Sequence, residues 1–315
     1  MARIYTIGEI LVEIMRDSVD SPLNQTGNFL GPYPSGAPAI FISTVSQLNH
    51  EAKIWGGVAK DKFGELLIDR LESDGVDCSN ITVSGKGATA VAFVSYSSDG
   101  SREFIYHIDG TPAGDVKFDE SGQTVPDYFH VMGCSLMVND SLQENICRAV
   151  EWAGSKGARI SFDPNLRPEL LGDKNLYDVV GPVIDQTSIF LPGVDELLMF
   201  SDSSDVDEAV KDVFSKYPKM EIIHLKKGKC GSTIYTRDKQ VDIPIYPIER
   251  VLEIVDPTGA GDSFDAAFLC GLAEDMSLED AGNYASKAGA INSTVYGPMG
   301  GDMKLIHHDF MSDAE

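Results

Sequence analysis

The stretch Val255-Asp256-Pro257-Thr258-Gly259-Ala260-Gly261-Asp262-Ser263-Phe264 sets two acids around two glycines, just ahead of a run in which Phe264, Ala267, Phe268 and Leu272 recur at helical spacing. Gly259 and Gly261 carry no Cβ, so the backbone can turn tightly and an anion can approach its N–H groups. The spacing puts both glycines at a helix N-terminus, where unpaired donors and the positive end of the helix dipole favour phosphate. An acid in the first helical turn, with no basic residue beside it, is placed to take a proton from a hydroxyl. Together these features point to phosphoryl transfer to an alcohol, with Asp262 as the base. The same residues also suit a plain turn and helix cap, the commoner use of such aspartates.

Two other runs could meet an anion. Leu225-Lys226-Lys227-Gly228-Lys229-Cys230-Gly231-Ser232 gathers three lysines and two glycines in a chain of formal net charge −24. Glycines allow close approach and ammonium groups act as point charges, so the run suits a phosphate-facing loop, or else a solvated hairpin tip. Ser161-Phe162-Asp163-Pro164-Asn165-Leu166-Arg167-Pro168 reads as a strand end entering a polar loop. Sheets of this class bind ligands beyond the carboxyl ends of their strands, where Asp163, Asn165 and Arg167 would project, unless they form only an Asx-turn with a surface arginine.

The chain contains no G-x-x-x-x-G-K-[ST], which disfavours a mononucleotide P-loop, and Ile7-Gly8-Glu9 offers a single glycine where a Rossmann dehydrogenase needs three. The six histidines show no ligand spacing, and the five cysteines are scattered without a C-x-x-C pair, so neither zinc chemistry nor a disulfide framework is expected. A charge of −24 with no basic cluster argues against nucleic acid as a partner. No apolar run approaches the ~20 residues that span a bilayer, and Met1–Gly8 lacks a long apolar leader, so a cytoplasmic protein without a membrane partner is expected.

At 315 residues the chain can bury a substantial core. Short β-branched or apolar runs alternate with helical patterns, the signature of a mainly parallel sheet covered by helices. Strands are expected at Ile4–Ile7, Ala52–Val58, Tyr128–Met132, Arg159–Phe162, Ile189–Leu191 and Ile222–Leu225. Helices are expected at Ala39–Leu48, Phe63–Asp74, Leu142–Lys156, Val206–Tyr217, Ser263–Glu274 and Leu278–Ser293. Two segments break the rhythm. Thr89–Tyr96 and Arg102–Ile108 alternate on either side of Ser98-Asp99-Gly100-Ser101, a strong hairpin signal, and Leu11–Pro34 wanders through several Gly and Pro.

Asp256-x-x-Gly259-Ala260-Gly261-Asp262, the Lys226-x-Gly228-x-x-Gly231 loop and the Asp163-x-Asn165-x-Arg167 run resemble the signatures of the ribokinase-like (PfkB-type) carbohydrate kinases, nearest to their fructokinase, tagatose kinase and 2-keto-3-deoxygluconate kinase members. The resemblance implies an α/β fold, a central mainly parallel sheet flanked by helices on both faces, with a small β-sheet lid. The main domain would take residues 1–10, 35–86 and 113–315, and the lid residues 11–34 and 87–112; a hairpin at the edge of the main sheet is the alternative. It makes Asp262 the catalytic base, and Gly259, Ala260 and Gly261 the amide donors of an anion hole. Lys226, Gly228, Gly231, Asn165, Asp256 and Thr258 would then meet ATP.

Pro34-Ser35-Gly36-Ala37-Pro38-Ala39 is similar to the family's N-terminal Gly-Gly-Ala-Pro-Ala-Asn signature, with Ser35 for the first Gly and Ile40 for the Asn. By the same resemblance Glu13, Ser35, Gly36, Ala37, Tyr106 and Arg167, with Asp262, would hold the sugar. Glu196 stands in the family's Asn-x-x-Glu element, with Gly193 for the Asn. It would hold Mg²⁺ through water, or serve as a helix N-terminal acid. The resemblance implies ATP and Mg²⁺ as cofactors, allows K⁺, and allows a homodimer through the lid. The expected reaction is phosphorylation of a primary hydroxyl of a neutral ketohexose, of the fructose or tagatose type. The alternatives are 2-keto-3-deoxygluconate as acceptor and a catalytically silent sugar-binding protein on the same fold.

Overall fold

The computed structural model describes residues 1–98 and 101–312, so the Asp99-Gly100 turn lies outside the described residues. The strands are β1 (Arg3–Ile7), β2 (Leu11–Arg16), β3 (Phe29–Ser35), β4 (Glu51–Ala59), β5 (Asp77–Ser84), β6 (Ala90–Tyr96), β7 (Arg102–His107), β8 (Tyr128–Met132), β9 (Arg159–Asp163), β10 (Ile189–Phe190), β11 (Ile222–Lys226), β12 (Ser232–Tyr235) and β13 (Gln240–Ile243). Nine of them form one sheet in the order β13-β12-β11-β10-β9-β8-β1-β4-β5. From β11 to β5 every pairing is parallel; β12 and β13 extend the β11 edge antiparallel.

Alternation along β1 shows why helices must cover both faces. Ile4 enters one apolar core, under the helices Ala37–Gln47, Ala260–Ala273 and Leu278–Asn292. Tyr5 and Ile7 enter the other, under the helices Asp140–Ser155, Leu176–Ile184 and Val206–Lys216. A parallel sheet buried on both sides needs apolar residues facing each way, and β1 supplies them. Trp55 is packed in the second core beside Phe118 and Phe129.

The segments that break the rhythm build a second sheet, in the order β3-β2-β6-β7. Strand β2 pairs with β6 in parallel, and the β6–β7 hairpin pairs through Val91–His107 to Tyr96–Arg102. The hairpin is thus no edge of the main sheet. Strand β5 escapes the sequence pattern because its residues are largely polar and none is buried, as an edge strand tolerates. Among the described residues no helix is long and apolar enough to cross a membrane.

Candidate active site

The helix carrying Asp262 begins at Ala260, three residues earlier than its apolar spacing implies, because Gly259 caps it in the left-handed region at φ 79°. A Cβ at Gly259 would lie 2.2 Å from the Pro298 carbonyl oxygen, so no other residue fits this close backbone approach. At Gly261 a Cβ would meet nothing within 4 Å, so the first turn of the helix is open on this side. Asp262 sits in that first turn, half-buried, on the wall of a cavity between the two sheets. Burial and the neighbouring Asp163 carboxylate raise its pKa to about 7, against the opposing pull of Lys226, Arg167 and Arg102.

The cavity brings together many of the residues expected at the sugar. Glu13, Ser35, Gly36 and Ala37 line one side, and Tyr106 and Arg167 another. Asn165, Thr258 and Gly259 complete the Asp262 wall. Gly36 is required by its backbone: φ is 103°, and a Cβ would meet the Glu9 carbonyl oxygen at 2.6 Å. Burial pushes the Glu13 pKa up to about 7; a hydrogen bond from Ser35 opposes this, while the Asp256 and Asp262 carboxylates add to it. One Glu13 oxygen, Oε2, is buried without a hydrogen-bond partner. Arg167 donates to the Leu166 carbonyl at 2.9 Å and to the Tyr106 hydroxyl, and its guanidinium lies 5.7 Å from the centre of the Phe104 ring.

Sequence reasoning missed several wall residues. Glu9 is buried, held by Ser135 Oγ and by Cys134 Sγ at 3.3 Å, and burial raises its pKa. Arg102 reaches the same cavity from β7, joined by Cys134 and Leu170. Glu9 had one signal in the chain: it follows the carboxyl end of the first strand.

The expected nucleotide residues divide. Gly228 and Gly231 turn the β11–β12 hairpin, with φ of 54° and 80°, and Gly228 is exposed. Lys226, expected at the nucleotide, points inward from this loop. Its Nζ lies 2.8 Å from Asp163 Oδ2 and 3.1 Å from Asp265 Oδ2, and the two acids raise its pKa against the cost of burial. Asp256 also turns inward, where it accepts the Thr258 N–H at 3.0 Å, the Thr258 hydroxyl at 2.6 Å and the Gly297 N–H at 3.0 Å. Asn165 adopts φ 38°, and its N–H closes an Asx-turn onto Asp163 at 3.0 Å. Glu196 clips two backbones together, accepting from Leu166 N at 2.8 Å and from Gly193 N at 2.7 Å. Among the described residues no group of three His, Cys, Asp or Glu could hold a metal ion.

Larger hollows, of about 610 and 680 Å³, open around Arg159 and Arg237 at the amino ends of the strands. The cavity around Asp262 is only about 60 Å³, yet it sits beyond the strands' carboxyl ends, where such sheets bind ligands.

Known proteins share this fold. The model of the pfkB family carbohydrate kinases matches residues 1–304. Fructokinase-1 of Oryza sativa subsp. japonica is 29% identical over 309 residues, covering 93% of this chain and 92% of that protein. The fructokinase of Salmonella typhimurium is 27% identical, covering 95% of each. A candidate ribokinase II from E. coli, solved in an apo form and with ATP and Mg²⁺, superposes with TM-scores of 0.90 and 0.89 at 36% identity, over 99% of this chain and 100% of that one. The fructokinase of Vibrio cholerae O395, solved with fructose, ADP and calcium, shares the fold with a TM-score of 0.81 at 20% identity, over 96% of each chain. With its sheets, its glycine-capped helix and a family match over nearly its whole length, this chain belongs to the pfkB family of carbohydrate kinases.

Proposed function

We propose that this carbohydrate kinase transfers the γ-phosphoryl group of ATP to a primary hydroxyl of a neutral ketohexose, of the fructose or tagatose type. The observation that carries the reading is Asp262, an acid on the cavity wall with a pKa raised to about 7, in a first helical turn that is open beside Gly261. A base poised near the working pH is the one that general catalysis favours. Asp262 takes the proton of the sugar hydroxyl while its oxygen bonds to the γ-phosphorus and the bond to the ADP oxygen breaks. The amides at Gly259, Ala260 and Gly261 hold the charge on the transferred group, so positioning and electrostatics supply the rate.

The exposed Gly228 turn supports an ATP site along the β11–β12 edge, with Asn165 and Thr258 on its sugar side. Among the described residues no three acids, histidines or cysteines form a metal cage, but each Glu196 oxygen accepts a single backbone N–H and keeps a lone pair for a Mg²⁺-bound water. A divalent ion would arrive on the nucleotide's phosphates, the usual habit of Mg²⁺. A narrow cavity of about 60 Å³ supports a small sheet that acts as a lid and must lift to admit sugar. Five free cysteines suit a reducing cytoplasm. Exposed Phe29, Leu30 and Ile105 on the small sheet suit a homodimer through the lid.

Three acids, Glu9, Glu13 and Asp262, line the cavity and suit neutral hydroxyls, and the Oryza sativa and Salmonella typhimurium relatives are fructokinases. One observation favours the second reading, a 2-keto-3-deoxy sugar acid: Arg102 joins Arg167 as a second guanidinium at the cavity. ADP release measured across ketohexoses, pentoses, nucleosides and 2-keto sugar acids decides between them. The ketohexose should give the highest kcat/KM; a sugar acid turned over ~100-fold better, a gap of ~2.7 kcal/mol, overturns the assignment. Sugar binding without turnover on any member would leave a silent binding protein.

A further inference from the structure

The small sheet touches the catalytic turn through one hydroxyl. Tyr96 ends β6, and its Oη lies 3.3 Å from Asp256 Oδ1 and in hydrogen-bond contact with Thr258 Oγ1. These two partners shape the turn that leads into Gly259. Asp256 gathers the Thr258 N–H and hydroxyl and the Gly297 N–H, and Asn292 Nδ2 ties the Thr258 carbonyl at 2.8 Å to the Pro298 carbonyl at 3.1 Å. The turn is thus fastened to the main domain on one side and to the small sheet on the other. A second small-sheet residue backs the contact: a Cβ at Gly297 would meet the Tyr33 ring at 2.7 Å, so Tyr33 of β3 is packed on the residue that donates to Asp256. The Tyr96 end of β6 is itself held, since its carbonyl accepts the Asp20 N–H at 2.8 Å.

We propose that Tyr96 is a positioning residue, whose hydroxyl sets the Asp256–Gly259 turn in register only when the small sheet is seated over the cavity. The anion-binding amides and Asp262 follow that turn directly, so a loosened turn misplaces them together. A hydroxyl that meets both Asp256 and Thr258 reports on the turn's conformation, and it acts without touching sugar or phosphate. The proposal rests on the kinase reading above.

The test is Tyr96→Phe, which keeps the ring and removes only the hydroxyl. In the full chain kcat should fall ~10–100-fold, the weight of a hydrogen bond to a charged group, with KM for sugar and ATP within ~3-fold of the parent. Amide hydrogen exchange is read in parallel. Adding sugar and ADP should slow exchange over residues 256–262 in the parent and not in Tyr96→Phe, while residues 90–96 are protected in both. A kcat within ~2-fold of the parent, or equal protection of 256–262 in both proteins, overturns the proposal. If the parent phosphorylates no sugar, the kinase reading has failed instead, and the exchange measurement still decides whether Tyr96 orders the turn.

Discussion

Asp262 and Asp265 lie one helical turn apart, and the structure puts them to different uses. Asp262 stands at the cavity wall with no ion pair among the described residues, and its pKa is raised to about 7. Asp265 is fully buried, with Lys226 Nζ 3.1 Å away and Asp163 hydrogen-bonded beside it. Burial raises Asp265 well above the carboxylate range, while Lys226 helps hold Asp163 below it. The Lys226 ammonium thus sits between two carboxyls, Asp265 with a raised pKa and Asp163 with a lowered one. It joins β9, β11 and the Asp262 helix. Similar burial therefore leaves Asp265 fastened to a lysine in direct contact and Asp262 on the cavity wall with its cations at a distance.

The largest effect should come from breaking the fastener. Lys226→Met leaves buried carboxylates uncompensated and should cost ~3–5 kcal/mol in urea unfolding, with Asp265→Asn in the same chain recovering part of it. A loss under ~1 kcal/mol would mean that Lys226 is free for another partner, as its place in a glycine-rich loop had suggested.

An intermediate effect belongs to the cavity. Glu13 has an oxygen without a partner, as a group waiting for ligand would. Glu13→Gln should raise the sugar KM ~10-fold or more, in line with a hydrogen bond to a charged group. An unchanged KM removes Glu13 from the sugar site.

The smallest effect is on stability. Because its folded pKa is raised, Asp262 keeps in the native state a proton that the unfolded chain releases. Its contribution therefore falls as pH climbs from ~4 through about 7. Asp262→Asn should melt ~2 °C above the parent at pH 8, roughly 1 kcal/mol for a half-exposed group, and together with it near pH 4. A variant that melts lower at pH 8 would show that Asp262 is a stabilising cap.

Much of this was legible in the chain because it is local. The parallel strands announce themselves by apolar runs, and the Gly259–Asp262 turn carries its amides and its acid within four residues. The cavity wall was less legible because the fold assembles it: Glu9, Arg102 and Cys134 come from three separate segments with no shared spacing. Lys226 shows the limit most plainly. A lysine before a glycine turn reads the same whether it faces phosphate or carboxylate, and its partners stand 63 and 39 residues away. The available signal was Asp265 itself, an acid within the apolar run Phe264–Leu269, which calls for a buried cation.

Steady-state ADP release by Asp262→Asn and Asp265→Asn, measured side by side with a saturating ketohexose, tests the account most directly. Asp262→Asn should lose ~10²–10⁴ in kcat while still binding ATP, the usual share of a positioned general base. Asp265→Asn, a neutral isostere of the carboxyl that burial pushes up, should stay within ~5-fold of the parent. Near-parental turnover by Asp262→Asn, or an equal collapse of both variants, would contradict it.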